Sequence, residues 1–239
     1  MDFALPAHDD PRRLEVRAWL ADHPSPSRSG LAEGGFIAPH WPRPWGRDAD
    51  TKAQLIIDDE FATAGVVIPG ASIGVGWAGP TIIAGGTEAQ KDRFLSPMLD
   101  DTEDWCQLFS EPEAGSDLAS LRTRAVRDGD CYVVNGSKLW STRADVTDWG
   151  ILLARTADDG PPQHGISYFL LDMTTPGIEV RPIIEMTGGR HFNETFLTDV
   201  RIPVEHLVGA ENEGWRLAKV TLANERVSLS EGGVLWGRG

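Results

Sequence analysis

Residues 109–117 read F-S-E-P-E-A-G-S-D and follow directly on an apolar run, W-C-Q-L. Proline, a Gly-Ser pair and three carboxylates are poorly suited to a core. They suit a loop that wraps backbone N–H groups around something polar and negatively charged. A second stretch, G-S-K-L-W-S-T at residues 136–142, spaces Trp140 and Thr142 two apart, hence on one side of a strand. An indole plane beside a hydroxyl suits a flat heteroaromatic ligand with a polar edge. Alone, Trp140 reads as a core residue and Thr142 as a solvated one. With the 109–117 loop as its companion, the ligand reading is the stronger.

Other motifs carry less. Gly74-Val-Gly-Trp-Ala-Gly79 matches GxGxxG, but that fingerprint needs a strand before it and a helix after it in a parallel unit. Here the surroundings read helical, and small residues that let helices pack closely explain the match better. His8, His23, His40, His164, His191 and His206 form no i, i+4 pair, so no metal is expected. Cys106 and Cys131 have no zinc spacing and make no disulfide framework, which points to a reducing cytoplasm. No GxSxG elbow supports a serine hydrolase.

The formal charge is −14 over 239 residues. That argues against nucleic acid, whose phosphates call for clustered Lys and Arg. It also means that cations facing any anionic ligand must be placed locally. No apolar run is long enough to span a membrane, and the first residues do not read as a secretory signal.

Elements must position these groups. The pattern predicts helices over Pro11–Ala21, over 51–65 with Thr51 as N-cap and Gly65 as stop, and from Thr87 to about Pro97. In the second of these, Leu55, Asp59 and Ala62 share a face, with Ile56, Ile57 and Phe61 nearby. The segment HPSPSRSG breaks the first helix. From about Asp104 the texture becomes short runs rich in β-branched and aromatic residues. RDGD, the NG of VVNGSK, DDGPP and TPG separate them as turns, which describes a mostly antiparallel sheet or barrel. From Asn212 a helical period returns, with Trp215, Ala218, Leu222 and Leu229 on one stripe. The expected fold is α+β: a helical N-terminal domain (1–102), a β-barrel-like middle domain (103–209) and the first helix of a C-terminal helical bundle (210–239).

Several motifs in order, GTEAQKDRFL, QLFSEPEAGSD, VVNGSKLWST, FNETFLTDVRIP and GAENEGWRLAKVTLANER, resemble the FAD-dependent acyl-CoA dehydrogenases over nearly the whole chain. The texture APHWPRPWG is similar to bacterial members that serve lipid and sterol catabolism. The resemblance implies FAD between middle and C-terminal domains. Gln107 to Ser116 would line the flavin and its pyrophosphate, with Phe109 and Ser110 at the ring, Gly115 allowing close backbone approach and Ser116 donating to pyrophosphate near the CoA chain. Trp140 would shield the ring, with Ser141 beside it, and Thr142 would hydrogen-bond flavin N5. Glu113 stands where the family usually has Gly, and is expected to point to solvent.

The implied reaction is α,β-dehydrogenation of an acyl-CoA. Of the family's two positions for the base, this chain contains the Glu of an E-R pair, Glu225-Arg226. Asn224 and Arg226 would lie on the substrate side. Adjacent helix residues cannot share a face, so at most one of Glu225 and Arg226 points straight into a site. Ala223 replaces an acid that some relatives keep. The resemblance also implies a homo- or hetero-oligomer (dimer or tetramer), an acceptor like electron-transfer flavoprotein, and further C-terminal helices. Trp215 and Trp236 would then mark an interaction surface. A flavin oxidase or monooxygenase on the same fold, and a truncated non-catalytic subunit, are the alternatives.

Overall fold

The computed structural model describes residues 6–230, with the side chains of 229 and 230 left out. The expected end of the chain, with Trp236, lies outside them. Contacts divide the chain into two compact units. One comprises 1–71 and 95–102, the other 72–94 and 103–239.

The first unit is helical. α1 (Pro11–Asp22) opens with Pro11 at its first position and Asp10 as N-cap, whose carboxylate accepts from Arg12 N–H. α2 (Arg28–Glu33) is capped by Ser27 and lies in a stretch that reads as a breaker in sequence. α3 (Thr51–Ala64) is capped by Asp50 rather than Thr51, and ends at Gly65 in the left-handed region, φ 70°. Its buried face is Ile56, Ile57, Glu60 and Phe61, which takes in the apolar residues expected beside Leu55, Asp59 and Ala62; Leu55 itself is exposed. Buried Glu60 is held by the guanidinium groups of Arg13 and Arg17 from α1. α5 (Glu88–Asp100), of which only residues 95–100 belong to this unit, starts at a capping box. Gln90 N–H donates to Thr87 Oγ1, and Thr87 N–H to Gln90 Oε1. Pro97 lies inside α5 and does not end it; the helix runs on to Asp100, and Pro97 itself accepts from Thr102 N–H.

The second unit holds a π-helical turn at Gly74–Ala78, α4 (Gly79–Gly85), one eight-stranded sheet and α6 (Gly214–Ser230). The GxGxxG stretch is therefore helical, as its surroundings suggested. The strands are β1 (Trp105–Leu108), β2 (Arg124–Asp128), β3 (Cys131–Thr142), β4 (Trp149–Arg155), β5 (Ile166–Asp172), β6 (Ile178–Pro182), β7 (Phe192–Pro203) and β8 (Leu207–Val208). Their order is β6-β7-β3-β2-β4-β5-β8, with β1 also on β4. Most pairs are antiparallel, but β1 and β2 both run parallel to β4. β4 and β5 are buried along almost their whole length, which explains their unbroken apolar sequences.

The Asn135-Gly136 pair is no turn. β3 passes straight through it and pairs with β7 across irregularities at Val134/Gly136 and Lys138/Ser141. Glycine is required there for space: a Cβ at 136 would lie 2.5 Å from Thr123 Oγ1 and 2.7 Å from Thr123 Cα. Gly136→Ala should lower stability by about 1–3 kcal/mol, the usual cost of overpacking, read as a shift in the urea midpoint. An unchanged midpoint would mean that β2 and β3 can part at no cost.

α6 buries Leu217, Ala218 and Thr221, with Trp215 and Leu222 half-buried. A line of hydroxyls fixes it. Thr221 Oγ1 meets Thr81 Oγ1 at 2.8 Å and Tyr168 Oη at 3.1 Å. Two turns on, Trp77 Nε1 of the π-helical turn donates to Ser228 Oγ at 2.8 Å.

Candidate functional site

The 109–123 segment is an excursion whose two ends sit close together on β4. β1 ends with Leu108 opposite Leu152, and β2 begins with Arg124 opposite Arg155, three residues further along the same strand. Within it, Glu111-Pro112-Glu113-Ala114 forms a tight turn, with reciprocal backbone bonds between Glu111 and Ala114 at 2.9 and 3.1 Å. Proline at the second position presets that turn.

Glu111 then closes the excursion. Its carboxylate accepts from the N–H groups of Arg122 and Thr123 at 2.6 and 2.9 Å. Lys138 Nζ, fully buried, donates to Glu111 Oε1 at 2.8 Å and to the Phe109 carbonyl at 3.1 Å. Leu139 N–H donates to the Ser110 carbonyl, so the loop is stitched to β3 one residue before Trp140. Burial alone would raise the Glu111 carboxyl, but the Lys138 ammonium and the hydrogen bonds hold it below its ordinary value. Burial pulls Lys138 down to about 8 against the attraction of Glu111. Sequence reasoning missed this pair, since a lone Lys in a strand and a Glu in a polar loop both read as solvated.

The loop thus held presents Glu113, Gly115, Ser116 and Asp117 to solvent. Among the described residues, no acceptor takes the backbone N–H of Gly115 or Ser116. A Cβ at Gly115 would meet nothing within 4 Å, so the room in front of it is open to a ligand. Glu113 is exposed and ion-paired with Arg122 at 2.5 Å, which keeps its charge turned outward.

Trp140 is bulged out of β3 with φ 62° and is 54% exposed, its ring edge-on to Phe192 at 5.6 Å. Thr142, half-buried, pairs with that same Phe192. Two members of the predicted set present no side chain here. The Phe109 ring is buried, edge-on to Tyr168. Ser141 is fully buried opposite Asn193, whose amide donates to the Ser141 carbonyl.

Gln107, the half-buried residue of β1, faces α6. Its Nε2 donates to Glu225 Oε2 at 3.4 Å. Glu225 is half-buried and Arg226 exposed, so the adjacent pair divides as helix geometry requires. Burial raises the Glu225 carboxyl above its ordinary value, against the opposing pull of the Gln107 hydrogen bond and the Arg226 charge. Asn224 Nδ2 is bonded within its own helix to the Val220 carbonyl.

These residues fit a flavin dinucleotide: exposed backbone donors beside an open glycine for a pyrophosphate, and an exposed indole with a hydroxyl beside it for a ring. Among the described residues no helix is long and apolar enough to cross a membrane.

Comparison with known proteins agrees with this arrangement. Residues 10–102 match the model of the acyl-CoA dehydrogenase N-terminal domain, and residues 106–200 that of the middle domain. The chain is 50% identical over 236 residues to acyl-CoA dehydrogenase FadE34 of Mycobacterium tuberculosis, covering 98% of this chain and 33% of the relative. It is 39% identical to acyl-CoA dehydrogenase IpdE1 of the same organism, of which it spans 62%. The solved Tcur3481-Tcur3483 steroid ACAD superposes with TM-score 0.74 at 32% identity, over 100% of this chain and 65% of that one. The ChsE4-ChsE5 complex from Mycobacterium tuberculosis does so with TM-score 0.71 at 34% identity, over 94% and 61%. The chain spans one third to two thirds of the length of the relatives it matches, and it belongs to the acyl-CoA dehydrogenase family, carrying that family's N-terminal and middle domains.

Proposed function

We propose that this chain supplies the flavin face and the base of an enzyme that removes the α and β hydrogens of an acyl-CoA thioester in lipid or sterol catabolism. The observation that carries the reading is Glu225: a half-buried carboxylate with a raised pKa, oriented by Gln107 at the root of the 109–123 excursion. A carboxylate that has lost water holds a proton more tightly, which suits a base that must take one from carbon. Gln107 fixes which oxygen faces outward. Arg226 and Ser116 would meet the polar parts of the thioester. Gly115, Ser116, Trp140 and Thr142 would hold FAD, with Gln107 and Ser110 alongside. When bound, FAD supplies the two-electron acceptor for the β-hydrogen.

The Tcur3481-Tcur3483 protein is a steroid ACAD, and ChsE4-ChsE5 is a complex. A sterol-derived acyl group and assembly with a second subunit are therefore the first substrate and partner to try. The cofactor half of the reading is tested by titrating the chain with FAD and following flavin fluorescence. Trp140→Ala should weaken binding several-fold and leave the flavin open to quenching by iodide, since base–aromatic stacking contributes about 1–3 kcal/mol. Equal FAD binding and equal quenching in both proteins would sink the assignment of Trp140 to the cofactor.

A further inference from the structure

β3 changes face part-way along its length. Tyr132, Val134 and Lys138 are buried, and strict alternation would carry Trp140 and Thr142 inward after Lys138. Instead Ser141 is fully buried, Trp140 is exposed and Thr142 is half-buried. The cause is one extra residue. Lys138 pairs with Thr195 and Ser141 with Asn193, so Leu139 and Trp140 together stand opposite Glu194. Such a bulge re-aims the side chains beyond it. It is also strained. Trp140 has φ 62° and Arg143 φ 57°, in a region that bulky side chains rarely occupy and keep only where their surroundings force it.

The surroundings include an amide where strands seldom carry one. Asn193 of β7 is fully buried. Its Nδ2 donates to the Ser141 carbonyl at 3.0 Å and to Asp145 Oδ1 at 3.1 Å. Both neighbours only accept, so the nitrogen must face them. The side chain thereby ties the residue just past the bulge to the exposed turn that follows β3. Two main-chain bonds flank this tie: Leu139 N–H to the Ser110 carbonyl at 2.8 Å and Arg143 N–H to the His191 carbonyl at 3.1 Å. We propose that Asn193, with Asp145 behind it, is a positioning residue that sets the face on which Trp140 and Thr142 are presented. Being fully buried, it acts only through them. The inference rests on the reading of those two residues as FAD contacts. Without the amide the extra residue is free to move along β3, and a shift of one position turns both side chains inward.

The test reads the arrangement and the ligand separately. Trp140 is followed by fluorine NMR of the chain labelled with fluorotryptophan, its resonance assigned by Trp140→Phe. Asn193→Leu keeps the size and removes both donors. It should shift or split the Trp140 resonance and leave those of buried Trp41 and Trp105 in place. Asp145→Ala, at an exposed position, should do the same to a smaller extent, and it carries every comparison if Asn193→Leu fails to fold, as circular dichroism will show. FAD affinity should fall about tenfold in Asn193→Leu, on the scale of one or two lost hydrogen bonds. In a chain already carrying Trp140→Ala and Thr142→Val, the same change should cost less than about twofold, because effects of residues that act through one another do not add. Equal losses in the two backgrounds would mean a general structural role and overturn the proposal. So would a Trp140 resonance that neither variant moves. If Trp140→Ala with Thr142→Val binds FAD as wild type does, the flavin reading falls and takes the cofactor role of Asn193 with it, while a shifted resonance still assigns the outward face to Asn193.

Discussion

Lys138→Met is expected to destabilise the second unit by about 3–5 kcal/mol, the usual result of removing one member of a buried ion pair. The reason is what remains. Glu111 would keep its bonds from Arg122 and Thr123 N–H but lose the cation that opposes the rise in its pKa caused by burial. The carboxyl would then take up a proton, and the acid would lose part of its hold on the excursion. Replacing both partners, Lys138→Met with Glu111→Gln, should recover much of the loss, because no uncompensated charge is left. Urea midpoints by circular dichroism measure both. The pH dependence has two opposite parts. Glu111 has a depressed folded pKa, so its contribution is present above the unfolded value and is lost as pH falls through the folded one. Lys138 is depressed to about 8 from 10.5. Between those values the unfolded chain still holds a proton that the folded chain has released, so from this residue stability rises with pH. Both trends should vanish in the double variant. A cost for Lys138→Met below about 1 kcal/mol, the level of an exposed pair, would mean that the excursion is held by other contacts.

Glu225→Gln should leave FAD binding intact and reduce flavin bleaching by acyl-CoA by about 10²–10⁴-fold, the range for a positioned base. The measurement is anaerobic stopped-flow in the complete assembly, with exchange of α-hydrogens into deuterated water as a second readout. Glutamine keeps size and hydrogen bonding to Gln107 while removing the basic lone pair. The base works only when deprotonated, so the rate should rise with pH through the Glu225 pKa, which lies above the ordinary 4.5. Gln107→Leu removes a donor that lowers that pKa. It should therefore move the acid limb of the profile to still higher pH, which a merely structural role for Gln107 would not do. Flavin reduction by Glu225→Gln near the normal rate would falsify the assignment and make Glu225 a surface or CoA-side residue of a non-catalytic chain.

Much of this fold could be read in the sequence because its signals are local. Seven of the strands announce themselves as short β-branched and aromatic runs, and Gly65 and Thr87 mark helix ends by chemistry that acts within one turn. The misreadings came where a distant partner overrode a local signal. Asn135-Gly136 looks like a hairpin turn, but Val134 and Gly136 are paired with Val200 and Leu197, more than sixty residues on. Pro97 looks like a stop, yet the helix carries it. The burial of Glu60 in α3 was not legible either, because it depends on two arginines in another helix. Within the site, exposed residues such as Trp140 and Ser116 were legible from type. The Lys138–Glu111 pair was not, because nothing in either neighbourhood says that the two will meet.

The long pairing of β3 with β7 also has a consequence for how the chain comes off the ribosome. β2 and β3 are joined by a two-residue turn and can pair at once, and β4 and β5 are joined by a ten-residue loop. The other edge of β3 waits for Phe192–Pro203 to be made. Until then a nascent chain displays unpaired N–H and C=O groups along twelve residues that include Tyr132 and Val134. Such an edge recruits strands from neighbouring chains, and the non-local closure that removes it is slow. A premature stop before residue 203, or a pause in translating the Gly-rich stretch near 188–189, should send the product toward inclusion bodies and toward holdase chaperones. A chain translated through β7 seals its own middle strand.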